Sequence, residues 1–334
     1  MKLASVEHNG RRFVAIAVAD DGEVVDVDEL LLLSNSGNGA TRIQSMLQVI
    51  AGAPQILPML RSAIDELAAL DVERIPVSAL KWLPPVVSPG KVCCVAMNNS
   101  ASNSRKISAP DHPAFFLKPP SCFIGNGEAI RVRRYYGSVH PEPELAVVIG
   151  KQACEVEADD ALEYVFGYTI VDDITGNGMR AEDMFHYWAI YADPNDANAT
   201  QRKEQHLSYA ARYKGSDTFG VMGPWLVTRD AIANPDALDV VCRIGGETIA
   251  EDSTQYYNYK IAEIISFLSF FHTLYHGDVI SLGTAFKPAP GRRSIHHANL
   301  QTVAGPIEIE IEGLGRQTSP VEIDEKQLGK WRLS

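Results

Sequence analysis

The sequence predicts a mixed α/β, β-rich protein in two parts, a small α+β domain over residues 1–84 and a larger, mainly β domain over residues 90–334. Three observations lead there. Short apolar runs of strand length recur along the chain, bounded by Gly, Pro, Asn and Asp. Clear helical periodicity is confined to a few segments. Between the two parts lies Pro84-Pro85-Val86-Val87-Ser88-Pro89-Gly90, the strongest linker signal in the chain.

Residues 1–34 read as strands in hairpins, with the turn Asp20-Asp21-Gly22 between the apolar runs 12–18 and 23–27. Residues 34–39 read as a loop. Two helical stretches follow near 41–51 and 55–70, the second with Ile56, Leu57, Leu60, Ile64 and Leu67 at helical spacing. After the linker, strands are expected at 92–97, 114–117, 144–149, 165–171, 224–228, 240–244, 279–282 and 306–311. Gly245-Gly246 marks a two-residue hairpin turn. One clear helix is expected over 258–275, with Ile261, Ile264, Ile265, Leu268 and Phe271 on one face and a stop at His276-Gly277. Residues 176–213 read as polar and irregular, a length typical of a functional lid or a disordered insert.

The formal net charge of −12, without a block of Lys and Arg, argues against nucleic acid or an anionic membrane surface as the main partner. No apolar run has the length of a signal peptide core or a membrane span. The five cysteines are scattered and odd in number, which fits reduced thiols in the cytoplasm. Cys93-Cys94 lie in an apolar strand and point to opposite faces, as core residues do.

The most informative segment is His140-Pro141-Glu142-Pro143-Glu144-Leu145-Ala146-Val147-Val148-Ile149-Gly150. The prolines disfavour helix, and side chains two apart on an extended backbone point to the same side. Asp172-Asp173 follow at the end of a second apolar run. Carboxylates brought together without partners repel and raise one another's pKa. A hard divalent ion with oxygen ligands (Mg²⁺, Mn²⁺ or Ca²⁺) removes that cost.

Eight blocks in order resemble the fumarylacetoacetate hydrolase family over roughly residues 90 to 322. They include Lys91-Val92-Cys93-Cys94-Val95-Ala96-Met97-Asn98, Pro113-Ala114-Phe115-Phe116-Leu117-Lys118-Pro119 and Glu142-Pro143-Glu144-Leu145-Ala146-Val147-Val148-Ile149-Gly150-Lys151. Phe166-Gly167-Tyr168-Thr169-Ile170-Val171-Asp172-Asp173, Lys214-Gly215-Ser216-Asp217-Thr218-Phe219, Met222-Gly223-Pro224-Trp225, Gly277-Asp278-Val279-Ile280-Ser281-Leu282-Gly283-Thr284 and Ile311-Glu312-Gly313-Leu314-Gly315 complete the set. The resemblance implies a β-roll-like catalytic domain, a homodimer, and a divalent metal on Glu142, Glu144 and Asp173. Asp172 stands where the family usually has asparagine, so the ligand falls to Asp173. Lys214 and Lys118 match lysines that line the site, and Thr284 a threonine near the substrate carboxylate. The implied substrate is a small 2-oxo or 2,4-dioxo acid or a diketone.

The leading expectation is therefore metal-dependent hydrolysis of a C–C bond in a 1,3-dicarbonyl or 2,4-dioxo acid. The chain departs from the hydrolytic pattern in two places. Ser102 and Arg105 replace the usual histidine and glutamate, and Thr175-Gly176-Asn177-Gly178-Met179-Arg180 replaces the arginine-bearing motif after the metal aspartate, where Arg180 is a candidate to reach the same site. Isomerase, hydratase or decarboxylase action on an oxo acid, or a catalytically degenerate homologue, are the alternatives. Candidate bases are His112, His140 and His186, the last set among Phe185, Tyr187, Trp188 and Tyr191. Arg133-Arg134 read as a polar strand end and His296-His297 as loop.

Overall fold

The computed structural model describes residues 1–34, 42–100, 103, 106–287, 295–303 and 305–326. The expected loop at 35–39 and the two replacements at Ser102 and Arg105 lie outside the described residues.

A 13-stranded sheet organises the molecule. Its main path runs Ile75–Pro76, Glu23–Asp26, Arg11–Val18, Lys2–His8, Leu226–Thr228, Val165–Asp173, Pro143–Ile149, Val279–Thr284, Val92–Ala96 and Ala114–Lys118. Strands from residues 1–84 therefore continue the sheet that carries the paired glutamates, through the antiparallel contact of Lys2–His8 with Leu226–Thr228. Alternation along each strand feeds two cores. Cys93, Leu145, Val147 and Ile149 face one side, with the helix Ile261–Phe271 packed there. Cys94, Ala146, Val148 and Val171 face the other, under the helices Val27–Leu33, Met46–Ala51 and Ala53–Glu66. A second sheet orders Glu247–Ser253, Asp239–Ile244, Ile307–Ile311 and Gly315–Ser319. Its first hairpin turns at Gly245-Gly246, as expected.

Three expectations are corrected. Residues 27–33 are helical rather than strand: the Asp26 side chain accepts from the Asp28 amide and caps the first turn, and Asp28 and Glu29 suit its positive end. The helix expected over 258–275 spans Ile261–Phe271 and stops at His272, whose backbone is extended. Gly277, at φ +85°, instead makes the turn into the Val279–Thr284 strand. Residues 176–213 are ordered rather than irregular. They form the helix Asn177–Glu182, a hairpin of Met184–Ala192 and Thr200–Ser208, and the short helix Ala211–Gly215.

Candidate metal centre

The Pro143–Ile149 strand runs antiparallel to Val165–Asp173, with Glu144 opposite Val171, and to Val279–Thr284, with Glu144 opposite Thr284. Glu144 continues the row of Ala146 and Val148, and Asp173 that of Val171, so both lie at the polar end of one apolar face. The strand ends are tied by backbone. The Asp173 amide donates to the Glu142 carbonyl at 3.0 Å, and the Glu142 amide to Asp172 Oδ1 at 2.9 Å. Asp172 thus faces away from the cluster and steadies its backbone. One carboxylate oxygen each from Glu142, Glu144 and Asp173 come within 4.8 Å of one another.

Two lysines face these carboxylates. The short helix Ala211–Gly215 brings Lys214 Nζ to 2.5 Å from Asp173 Oδ2 and 3.1 Å from Glu142 Oε2. Gly215 is required there, because a Cβ would sit 2.9 Å from the Pro119 ring. Lys118, buried behind the cluster, donates to Asp173 Oδ1 and the Phe219 carbonyl. Burial alone would lower the Lys214 pKa, but Asp173, Glu142 and Glu144 outweigh it and hold the ammonium charged. Burial likewise opposes ionisation of Glu142, yet Lys214 and then His140 keep its pKa well below the carboxylate range.

Glu144 behaves differently. It is buried and accepts from Ser281 Oγ at 2.5 Å and the Gly283 amide at 3.1 Å. Among the described residues it forms no ion pair. Burial, and then the Asp173 and Glu142 charges, push its pKa well above the usual range. This is a carboxylate whose charge the protein's own groups do not balance. Three oxygen donors of this kind fit a hard divalent ion.

A cavity of about 340 Å³ opens over the cluster. Its wall includes Glu142, Glu144, Asp173, Lys214 and Thr284, and adds Asn177, Arg180 and His296. Thr284 ends its strand after Gly283, where φ is +86° and a Cβ would lie 2.9 Å from the Val95 carbonyl oxygen. His140 is fully buried; its Nε2 lies 3.0 Å from Glu142 Oε1, which also accepts from Thr175 Oγ1 at 2.7 Å. His112 stacks on Phe267, and His186 stacks on His206 in the exposed hairpin; neither joins the cavity wall. Arg133 and Arg134 pair with Asp324 and Glu325. His296 was missed in sequence. Its ring lies 4.6 Å from that of His140, although more than 150 residues separate them in the chain.

Residues 91–322 match the family described as Fumarylacetoacetate (FAA) hydrolase C-terminal. The chain belongs to the fumarylacetoacetate hydrolase family. Among curated family relatives, a mitochondrial oxaloacetate tautomerase of Bos taurus is 30% identical over 260 residues, covering 75% of this chain and 74% of its own length. The Rattus norvegicus tautomerase, also mitochondrial, is 31% identical over 274 residues, covering 81% and 78%. Among solved structures, a fumarylacetoacetate hydrolase from Exiguobacterium antarcticum superposes with a TM-score of 0.71 at 26% identity, covering 97% of this chain and all of that one. A maleylpyruvate hydrolase from Sphingobium, in complex with manganese(II) and pyruvate, has the same fold at a TM-score of 0.68 and 24% identity, over 97% of this chain and all of that one. The family thus includes tautomerases and hydrolases, and this chain carries a possible divalent-metal site of its own. No helix among the described residues is long and apolar enough to cross a membrane.

Proposed function

We propose that this chain is a metal-dependent enzyme that moves a proton on a small 2-oxo acid through its enol form, as a tautomerase or isomerase. The observation that carries the reading is the Glu142, Glu144 and Asp173 cluster with Lys214 on the wall of one cavity. A divalent ion held by those three carboxylates would polarise the carbonyl oxygen of a chelating oxo acid. Lys214 adds a fixed positive charge beside that oxygen, where enolate charge grows, and so favours the transition state over the ground state. Arg180 and Thr284 orient the substrate's carboxylate from the wall. His296 carries the proton at an imidazole nitrogen, since it is the histidine that reaches the cavity. His140 and Thr175 hold Glu142 in place from behind. Lys118 fixes Asp173 rather than touching substrate.

The curated tautomerase relatives support proton transfer over bond cleavage. Hydrolysis of a C–C bond is the second reading, favoured by the likeness to a fumarylacetoacetate hydrolase structure. A panel of oxo and dioxo acids with product mass separates the readings. Tautomerisation leaves mass unchanged, hydration adds water, decarboxylation loses carbon dioxide, and hydrolysis adds water and splits the chain. Absence of any metal-dependent turnover across the panel would leave the degenerate homologue standing.

A further inference from the structure

Glu142 turns its two oxygens to two different neighbourhoods. Oε2 accepts from Lys214 at 3.1 Å, on the side shared with Glu144 and Asp173. Oε1 lies 3.0 Å from His140 Nε2 and accepts from Thr175 Oγ1 at 2.7 Å. On this second side the carboxylate meets two imidazoles. One ligand atom each from His140, Glu142 and His296 come within 4.8 Å of one another.

Backbone holds this group together. His140 ends the short strand Val139–His140, opposite Thr175. His296 lies in the turn Ile295–His297, and the residues just after that turn are tied to the same strand. The Leu300 amide donates to the Val139 carbonyl at 2.8 Å, and the Val139 amide donates to Asn299 Oδ1 at 3.3 Å. Ile295 and Leu300 are buried on either side of the turn. The place where the two rings meet is therefore fixed by the fold.

The donor set differs in kind from its neighbour. Two nitrogens and one carboxylate suit a borderline ion such as Zn²⁺, whereas Mg²⁺ and Ca²⁺ take oxygen. Ligands about 2.1 Å from a tetrahedral ion stand roughly 3.4 Å apart. His140 and Glu142, at 3.0 Å, are near that spacing already. A neutral His140 carries its proton at Nε2 here, since an ionised carboxylate only accepts. Binding an ion at Nε2 moves that proton to Nδ1, and none leaves the ring. Nδ1 lies 3.3 Å from the Asn177 side-chain amide, which on turning over presents its oxygen to the new N–H. Glu142 and His296 both line the cavity, which gives an ion its way in.

We propose that His140, Glu142 and His296 form a second metal site, for Zn²⁺, beside the carboxylate cluster and sharing Glu142 with it. A filled site holds His296 by the lone pair that would take the substrate's proton. Zn²⁺ there is an off switch for the proton transfer. The switch rests on the role proposed for His296 above; the site itself does not.

Zinc uptake by the chelator-treated full chain, read by calorimetry without substrate, tests the site. His296→Gln should bind one Zn²⁺ fewer than the native chain, or bind it about 10²-fold more weakly, a larger cost than the ~10-fold of losing an outer hydrogen bond. Its Mn²⁺ affinity should be unchanged, which also shows that the variant is folded. Asn177→Leu should weaken the same Zn²⁺ by about tenfold. Native and His296→Gln chains that take up the same Zn²⁺ with the same affinity would overturn the site. Turnover of Mg²⁺-loaded native protein should stop as the site fills. Turnover that continues with the site filled would overturn the switch and the role of His296, and leave the site established by its binding.

Discussion

Lys214 Nζ sits 2.5 Å from Asp173 Oδ2, so a lysine occupies part of the space that an ion bound to Asp173 would use. The same ammonium reaches Glu142 at 3.1 Å. Lysine and ion then compete for two carboxylates, while a substrate oxygen bound between them is served by both. Lys214→Met should lower turnover by about 10²-fold or more, the usual cost of losing one such electrostatic donor. Its affinity for Mn²⁺, measured by calorimetry, should stay equal or increase. A parallel loss of metal would show that Lys214 builds the site rather than serving the substrate.

His296 and His140 stand in contact but differ in access, one on the cavity wall and one buried against Glu142. His296→Gln should reduce proton transfer by about 10²- to 10⁴-fold with Mn²⁺ affinity retained. His140→Ala should act the other way, weakening the ion by about tenfold or more as Glu142 loses its support. Paired calorimetry and kinetics on the two variants would tell them apart.

Asp172 provides a pH signature. Burial pushes its carboxyl up to about 7, against the Glu142 amide that donates to it, and Oδ2 has no hydrogen-bond partner among the described residues. A carboxyl that binds its proton more tightly folded than unfolded loses stability as pH rises from near 4, and the loss is complete above about 7. In metal-free protein that loss is of the order of a few kcal/mol. Urea unfolding at about pH 5 and pH 8 should show it in the native chain. Asp172→Asn keeps the acceptor for the Glu142 amide and should reduce the difference, leaving the share that buried Glu144 contributes with the same sign.

Gly283 tests the backbone of the site. Its φ of +86° and its distance to the Val95 carbonyl leave no room for a side chain, and its amide donates to Glu144. Gly283→Ala should cost about 2 kcal/mol or more in thermal or urea unfolding.

The paired glutamates were legible in sequence because strand period two, with flanking prolines, leaves their direction little choice. The choice of Asp173 over Asp172 came from resemblance, and strand parity accounts for it: neighbours on a strand face opposite sides. Lys214 came from the resemblance, and the structure adds the reason for its position: Gly215, without a side chain, lets the helix approach Pro119. His296 was not legible, since only the fold brings it to His140. The hairpin of Met184–Ala192 and Thr200–Ser208 was misread as irregular because its apolar residues are diluted by the polar second strand and the Asp-Asn tip. The helix Val27–Leu33 was hidden by a valine run that favours strand, until the Asp26 cap decided it.

Metal-dependent enolisation of a 2-oxo acid is the reaction proposed for the cavity over Glu142, Glu144 and Asp173. The most direct measurement is proton NMR in D₂O, following deuterium exchange at the carbon next to the oxo group in pyruvate, 2-oxobutyrate and oxaloacetate. Exchange should require Mg²⁺, stop with a chelator and be lost in Glu144→Gln and Asp173→Asn. Exchange no faster than in buffer across the three acids with Mg²⁺ or another divalent ion present, or exchange indifferent to the chelator, would contradict it.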